Sequence, residues 1–277
     1  MAVPLTATMS SPTSRPAFSA GEPPLRWGCD EEGGAPYCFK RQAARGFERV
    51  GFEVEIVGEL QKRLGRPIEF TQYPFDNLVP GLKKKDFDLA MNGLEVTADR
   101  RREVSFTRPY YLYRQQLVVR KGEARFADYE AMRKVLPRAR VGTMDGTAAE
   151  RLLAAAGFEV AGYPAPTEAY RDLGLGRLDA VLLDLPMAVS YAAKDPALEF
   201  AGAPFAPGRY AIAVHPDSAE LRLSLNKALD GMISDGSLKA SQSWYVGLQW
   251  DKAFAEANAL GFAFGQPVFA TSLSGDA

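Results

Sequence analysis

An arginine that follows a short apolar strand is the first candidate for ligand recognition in this sequence. Residues 88–91 are predicted to form a buried strand, and Thr97 can cap a helix whose first turn contains Arg100. Open α/β sheets bind ligands at the carboxyl ends of their strands, and a guanidinium binds a carboxylate through two parallel hydrogen bonds. Arg100 is therefore predicted to bind a small acid. The arginine run 100–102 is also typical of a solvated helix face.

A second candidate is the start of a helix after a predicted strand at residues 140–142. Thr147 and Glu150 form a T-x-x-E capping box, so the helix is predicted to begin at Ala148. The N-terminus of a helix presents unpaired N–H groups and a partial positive charge, which favour an anion. Thr147 could equally be a plain helix cap.

Asp184 is the third candidate, because it is an acid at the end of the apolar run 178–183. Its carboxylate is suited to accept hydrogen bonds from an ammonium, although it could also serve only as a helix cap. A guanidinium and a helix N-terminus for a carboxylate, together with a carboxylate for an ammonium, make a receptor for an α-amino acid. The sequence therefore predicts binding of a small zwitterion.

Composition excludes several other classes of function. The chain has 277 residues, a formal net charge of -1 and 24% charged residues, so we expect no nucleic acid partner. One histidine and two cysteines make a zinc site or a histidine-dependent hydrolase improbable, and no metal, cofactor or catalytic residue is predicted. Cys29 and Cys38 could form a disulfide or remain buried thiols. No apolar run reaches the ~20 residues of a membrane span.

Two sets of alternating strands and helices must position the three candidates. The first set has strands at 25–29, 67–70 and 88–91, with helices at 52–64, closed by Gly65, and at 76–85, capped by Asp76. The second set has strands at 140–142 and 178–183, with helices at 148–156 and 168–175. Alternation of this kind predicts a mainly parallel sheet covered on both faces.

Two further strands, at 115–120 and 210–214, are predicted to connect these sets. The fold class is therefore α/β, with two lobes, a mixed and mainly parallel sheet in each, and a hinged cleft between them. Lobe 1 is predicted to contain residues 25–116 and 208–248, and lobe 2 residues 117–207. Residues 1–24, rich in Ser, Pro and Thr, predict a disordered leader without a secretory signal, and residues 249–277 a tail of low order.

The sequence resembles the type II periplasmic substrate-binding proteins of ABC importers, in the polar amino acid branch known as solute-binding protein family 3. The resemblance covers about residues 25–246. The matching segments include NGLEVTADR from Asn92, VSFTRPYY from Val104, VGTMDGTAAE from Val141 and GRLDAVLLD from Gly176. It implies a periplasmic-binding-protein-like II fold that closes on its ligand by hinge motion.

The resemblance also implies roles for single residues. Arg100 would bind the ligand α-carboxylate, with help from the backbone N–H of Ala148 and the hydroxyl of Thr147. Asp184 would bind the α-ammonium together with the carbonyl of Gly93.

Two aromatic residues and one departure from the family pattern bear on the choice of ligand. Tyr37 and Phe75 match positions where rings flank the ligand side chain, although core packing explains them equally well. Glu95 stands where the family usually has Ser or Thr, and an ionised Glu cannot donate a hydrogen bond to a carboxylate. It could instead pair with Arg100, or contact a cationic ligand such as arginine or a diamine. Ala148 also replaces a common threonine, which removes a hydroxyl donor.

The predicted function is capture of a small amino acid, or a related zwitterion or cation, in the cleft and delivery to the membrane permease of an ABC transporter. The protein would act as a monomer, outside the cytoplasmic membrane, without a cofactor. One alternative is an enzyme that resembles the cyclohexadienyl dehydratases, which act on prephenate or arogenate, with Glu95 or Asp184 as general acid. Another alternative is a ligand-sensing module.

Overall fold

The computed structural model of this chain describes residues 21–135 and 139–246. The predicted tail, and all but the last four residues of the predicted leader, lie outside this part of the chain. Within it, no helix is long and apolar enough to cross a membrane.

The described residues form ten strands, eight of which make one central sheet. In chain order the strands are β1 Leu25–Cys29, β2 Phe39–Ala43, β3 Gly46–Val50, β4 Ile68–Gln72, β5 Leu89–Ala90, β6 Ser105–Arg120, β7 Arg140–Met144, β8 Glu159–Tyr163, β9 Ala180–Asp184 and β10 Leu198–Val214. The sheet order is β4-β1-β5-β10-β6-β9-β7-β8, and β2 and β3 form a separate hairpin.

Nine α-helices of the described part of the chain pack around the sheet. They are α1 Phe52–Leu64, α2 Leu78–Lys84, α3 Ala98–Glu103, α4 Tyr129–Val135, α5 Ala148–Ala155, α6 Pro166–Gly174, α7 Leu185–Tyr191, α8 Ala219–Ser234 and α9 Ser237–Val246. Helix α1 ends where predicted, at Gly65, whose φ of 62° places it in the left-handed region that closes many helices.

Two long strands join the halves of the sheet. The half with β4, β1 and β5 and the half with β9, β7 and β8 are each parallel inside, whereas β6 and β10 run antiparallel through the middle. The predicted mixed α/β class is therefore confirmed. The predicted connecting strands are longer than expected, so the two sheets are continuous. Strand β10 loses register with β6 around residues 202–207, near the predicted crossing.

This topology places the predicted strand-to-helix turns on the sides of the two halves that face the cleft. Strands β1, β4 and β5 are parallel, so their carboxyl ends lie at one edge, which leads to Asn92 and Gly93. Strands β7, β8 and β9 of the other half are also parallel to one another, and their carboxyl ends lead to Thr147 and Asp184.

Apolar side chains fill the interior of both halves. In the first, Trp27 of β1 is buried in one cluster with Ile56 of α1 and Leu229 of α8. The same cluster extends into the other half, where it includes Val181 of β9. In the second, Val141 of β7 clusters with Leu153 of α5 and Leu182 of β9. Cys29 and Cys38 are both buried free thiols.

Some local predictions were wrong. The expected helix at 76–85 is divided into a 3-10 turn, Phe75–Asn77, and α2, and neither begins with a side-chain cap from Asp76. The hairpin β2–β3 and strand β8 were missed. Their side chains are mostly exposed or only partly buried, so they lack the apolar pattern that reveals a strand.

Candidate functional site

Arg100 lies in the cleft between the two halves of the sheet. The side chain of Thr97 caps α3 as predicted and accepts a 3.2 Å hydrogen bond from the Arg100 backbone N–H. Arg100 is only 7% exposed, whereas Arg101 and Arg102 are exposed, so the solvated-face interpretation holds only for the latter two. Its Nη2 donates to the carbonyl of Gly146 at 3.0 Å, which links the two halves.

The carboxylate of Glu95 is the partner of this guanidinium. Nη1 of Arg100 donates to Glu95 Oε2 at 2.5 Å and to the Glu95 carbonyl at 2.9 Å. The other carboxylate oxygen, Oε1, accepts a 2.9 Å hydrogen bond from the backbone N–H of Ala148. The predicted alternative that Glu95 pairs with Arg100 is confirmed. Two of the donors assigned by resemblance to a ligand α-carboxylate thus bind a carboxylate of the protein itself.

Thr147 is the N-cap of α5, as the capping box predicted. Its Oγ1 accepts from the Glu150 backbone N–H at 3.2 Å and donates to the Met144 carbonyl at 2.7 Å. The Glu150 carboxylate accepts a 2.7 Å hydrogen bond from the N–H of Gly146. Since a hydroxyl has one hydrogen, that of Thr147 is engaged inside the protein.

Asp184 lies at the end of β9 and also caps α7. Its Oδ1 accepts a 3.3 Å hydrogen bond from the Met187 N–H, and the Tyr210 hydroxyl donates to Oδ2. The Tyr37 hydroxyl lies 2.9 Å from that of Tyr210. Burial raises the pKa of Asp184 to about 6, against the hydrogen bonds of the two tyrosines, and the charge of Glu95 adds to the rise.

A stack of tyrosines surrounds this carboxylate. The ring of Tyr210 stacks on Tyr113, with centroids 4.5 Å apart, and on Tyr111, at 5.2 Å, while Tyr37 meets it edge-on at 5.6 Å. Burial raises the pKa of Tyr210 well above its ordinary value, so its hydroxyl remains protonated. Sequence reasoning missed Tyr113 and Tyr210. The alternate spacing of Tyr111 and Tyr113, which puts both rings on one face of β6, was an available signal.

Gly93 packs directly against Tyr37. Its φ of 64° lies in the left-handed region, and a Cβ there would lie 2.8 Å from the Tyr37 ring. Its N–H donates to Glu53 Oε1 at 2.6 Å, and the Tyr110 hydroxyl donates to the same oxygen. Burial raises the pKa of Glu53 to about 8, against both hydrogen bonds. The predicted contact of the Gly93 carbonyl with a ligand remains a prediction.

The two predicted aromatic residues differ in their surroundings. Phe75 is buried, and its ring centroid lies 5.5 Å from the guanidinium carbon of Arg100, within the range of a cation–π contact. Tyr37 is fully buried and also packs edge-on against Phe52 at 5.4 Å. Tyr37 is therefore both a core residue and part of the chain of hydroxyls that leads to Asp184.

Four buried polar atoms in or near these groups have no hydrogen-bond partner among the described residues. They are Glu53 Oε2, Gln115 Oε1, the Tyr170 hydroxyl and Arg151 Nη2. Gln115 lies directly opposite Asp184 in the register of β6 and β9. The charge of Asp184 contributes, after burial, to a raised pKa of Tyr170. Buried polar groups are normally paired, so each of these atoms is available to a partner from outside the chain, either water or a bound molecule.

In the part of the chain that the structure describes, no group of three or more His, Cys, Asp and Glu side chains could hold a metal ion.

The sequence model of one protein family, the bacterial extracellular solute-binding proteins, family 3, matches residues 25–247. The chain belongs to this family. Membership confirms the predicted family, the two-lobed architecture and the expectation of an extracytoplasmic solute-binding protein.

Individual family 3 proteins are similar along most of their length. The histidine-binding periplasmic protein of Salmonella typhimurium is 32% identical over 250 residues, which are 86% of this chain and 93% of that protein. The structure of an ancestral arginine-binding protein bound to arginine has a TM-score of 0.73 and 30% identity, and the match covers 80% of this chain and 98% of that one. The ancestral amino acid-binding protein AncCDT-1, a precursor of cyclohexadienyl dehydratase, has a TM-score of 0.72 and 27% identity over 80% of this chain and 95% of its own.

Proposed function

We propose that this family 3 protein captures a small cationic solute with an amine group and delivers it to the permease of an ABC transporter. One observation carries the cationic preference. The charge of Arg100 is paired with Glu95, whereas Asp184 has no cationic partner within 4 Å among the described residues. A buried carboxylate without a cation is costly, so a bound cation stabilises it.

The tyrosines around Asp184 support this proposal. Aromatic faces attract a desolvated cation, and Tyr113 and Tyr210 are largely buried beside the carboxylate. In the proposed complex the ammonium is bound by Asp184 and the carbonyl of Gly93, while Tyr37 positions Tyr210. The ring of Phe75 packs against the guanidinium of Arg100 in the cleft between the lobes.

The relatives support the ligand class and the partner. The proteins named above include one that binds histidine and one bound to arginine, and the chain is also 31% identical to an ABC transporter arginine-binding protein of Escherichia coli. We propose that residues 25–116 and 208–248 form one lobe, that residues 117–207 form the other, and that the protein acts as a monomer that presents its closed form to the permease.

The dehydratase alternative has less support. The similar precursor of that enzyme is itself named an amino acid-binding protein. Both carboxylate oxygens of Glu95 accept hydrogen bonds from donors that retain their hydrogens, so Glu95 is not arranged as a general acid.

The test is isothermal titration calorimetry on protein that has been unfolded, stripped of carried-over ligand and refolded. Arginine, lysine, ornithine, histidine and their amines are compared with glutamine and glutamate. We expect binding only from cations, and loss of at least a hundredfold in affinity for Asp184→Asn, which preserves a good helix cap. Asp128→Asn is the matched control, because Asp128 also accepts from a backbone N–H three residues later, that of Ala131, at an exposed site. Binding of glutamate or glutamine in preference to every cation would overturn the proposal.

A further inference from the structure

We infer that the solute is an amine without an α-carboxylate, because Glu95 fills the carboxylate subsite with a side chain of the protein. This inference rests on the proposed function and makes its ligand class narrower. The evidence is an asymmetry between the two ends of the site. The end expected to bind a carboxylate already contains the carboxylate of Glu95, whereas the end expected to bind an ammonium contains no cation among the described residues.

At the carboxylate end, each of the three assigned groups already donates to an acceptor of the protein. Arg100 donates from Nη1 to Glu95 and from Nη2 to the carbonyl of Gly146. The N–H of Ala148 donates to Glu95, and the hydroxyl of Thr147 donates to Met144. A ligand carboxylate would have to compete with Glu95 for Arg100 and for Ala148.

Replacement of Glu95 by a ligand carboxylate would give no clear gain in hydrogen bonding. The incoming group would form with Arg100 and Ala148 the same charge-assisted bonds that Glu95 already forms. The displaced Glu95 side chain, now 2% exposed, would lose both partners and remain as a negative charge close to the ligand. A like charge in a buried site and an unpaired carboxylate are both unfavourable. Glu95 therefore selects against an α-carboxylate.

At the ammonium end, acceptors are available. A carboxylate offers about four acceptor positions, and even with Tyr210, Tyr37 and Met187 as donors Asp184 retains one for a ligand. Gln115 is opposite Asp184 on the adjacent antiparallel strand, so their side chains share a face of the sheet about 5 Å apart at Cβ. Oε1 of Gln115 is a buried acceptor without a partner among the described residues.

An ammonium fits this arrangement. It carries three hydrogens, which Asp184 and Gln115 can both accept, and it would lie beside the face of Tyr113 that is turned away from Tyr210. The structure thus assigns Gln115 as a ligand-binding residue in addition to Asp184. The chemistry that satisfies both ends is a small primary amine, such as the product of decarboxylation of a cationic amino acid.

The test compares four pairs of compounds in which the amine differs from the amino acid only by the loss of its carboxylate. The pairs are agmatine and arginine, cadaverine and lysine, putrescine and ornithine, and histamine and histidine. Affinities are measured by calorimetry on the refolded wild-type protein. We consider the pair that contains the compound with the highest affinity. In that pair we expect the amine to bind at least tenfold more tightly than the amino acid. Tighter binding by the amino acid would overturn this inference and leave the proposed function intact, whereas binding by none of the eight would overturn the proposed function itself.

Two variants sharpen the result. Glu95→Ser removes the carboxylate from the subsite and supplies a hydroxyl donor. In this variant the ratio of amine affinity to amino acid affinity for that pair should shift at least tenfold towards the amino acid. Glu95→Gln, which keeps the size of the side chain, should shift it in the same direction by a smaller factor. Gln115→Met should weaken the amine about tenfold. An unchanged preference in a folded Glu95→Ser protein would contradict the role assigned to Glu95, and unchanged amine affinity in Gln115→Met would contradict that of Gln115.

Discussion

Glu95 and Ala148 are joined by a 2.9 Å hydrogen bond, from the first backbone N–H of α5 to a carboxylate that follows β5. The two residues belong to opposite predicted lobes. Together with the bond from Arg100 to the Gly146 carbonyl, this contact closes the cleft through groups of the protein alone. An N–H of each predicted lobe thus donates to an oxygen of the other lobe.

We first predict that Glu95→Ser opens the solute-free protein. Loss of the carboxylate removes the acceptor for Ala148 and unpairs Arg100, so the closed form loses a charge-assisted hydrogen bond between the lobes. Small-angle X-ray scattering should show a larger radius of gyration than for wild type. Glu103→Ser, which removes an exposed glutamate paired with Lys83, is the control and should leave the radius unchanged. Equal radii for wild type and Glu95→Ser would show that other contacts hold the lobes together.

Amine affinity should fall at acidic pH. A cation binds the ionised form of Asp184, whose pKa burial raises to about 6, while a primary amine remains charged throughout this range. The dissociation constant should be nearly constant above pH 7 and rise towards tenfold per pH unit well below pH 6. Calorimetry from pH 4.5 to 8 measures this dependence. A wild-type affinity that does not change across this range would contradict the assignment of Asp184 as the ammonium partner.

Stability should depend on pH through Glu53. Its pKa rises from the ordinary 4.5 to about 8 in the folded state, mainly through burial, so the folded protein binds more protons than the unfolded chain between these values. The contribution of Glu53 to the free energy of unfolding is therefore greatest below pH 4.5 and is lost as pH rises to 8. Glu53→Gln should remove that loss, with a gain over wild type on the order of a few kcal/mol above pH 8.

Urea unfolding at pH 5, 7 and 9 measures this effect. Glu55→Gln, at an exposed position two residues along the same helix, is the matched control. A wild-type protein and a Glu53→Gln variant with parallel pH profiles would contradict the prediction.

A substitution at Gly93 should cost more than the same substitution at Gly65. Both have left-handed backbones, with φ of 64° and 62°, so alanine imposes a similar strain of about 1–2 kcal/mol at each. At Gly93 the added Cβ would also lie 2.8 Å from the Tyr37 ring, whereas nothing lies within 4 Å at Gly65. Gly93→Ala should therefore lower the free energy of unfolding by at least ~1 kcal/mol more than Gly65→Ala does. Equal losses in urea unfolding would show that the Tyr37 ring moves aside at little cost.

Local chemistry in the sequence determined much of the fold. Helix α1 could be predicted because its apolar spacing and its closing Gly65 act within one helix. The caps Thr97 and Thr147 could be predicted because each accepts a hydrogen bond from a residue three positions later. Family motifs then placed Arg100 and Asp184 at the ends of strands that face one cleft.

Only the tertiary structure decided how those groups are paired. Glu95 reaches Ala148 across 53 residues of sequence, and Tyr210 reaches Tyr37 across 173, so neither contact leaves a local pattern. Gln115 faces Asp184 only because β6 and β9 adopt one particular register. These contacts depend on how two long strands align and how the lobes close on each other, and that geometry is set by the packing of the whole chain.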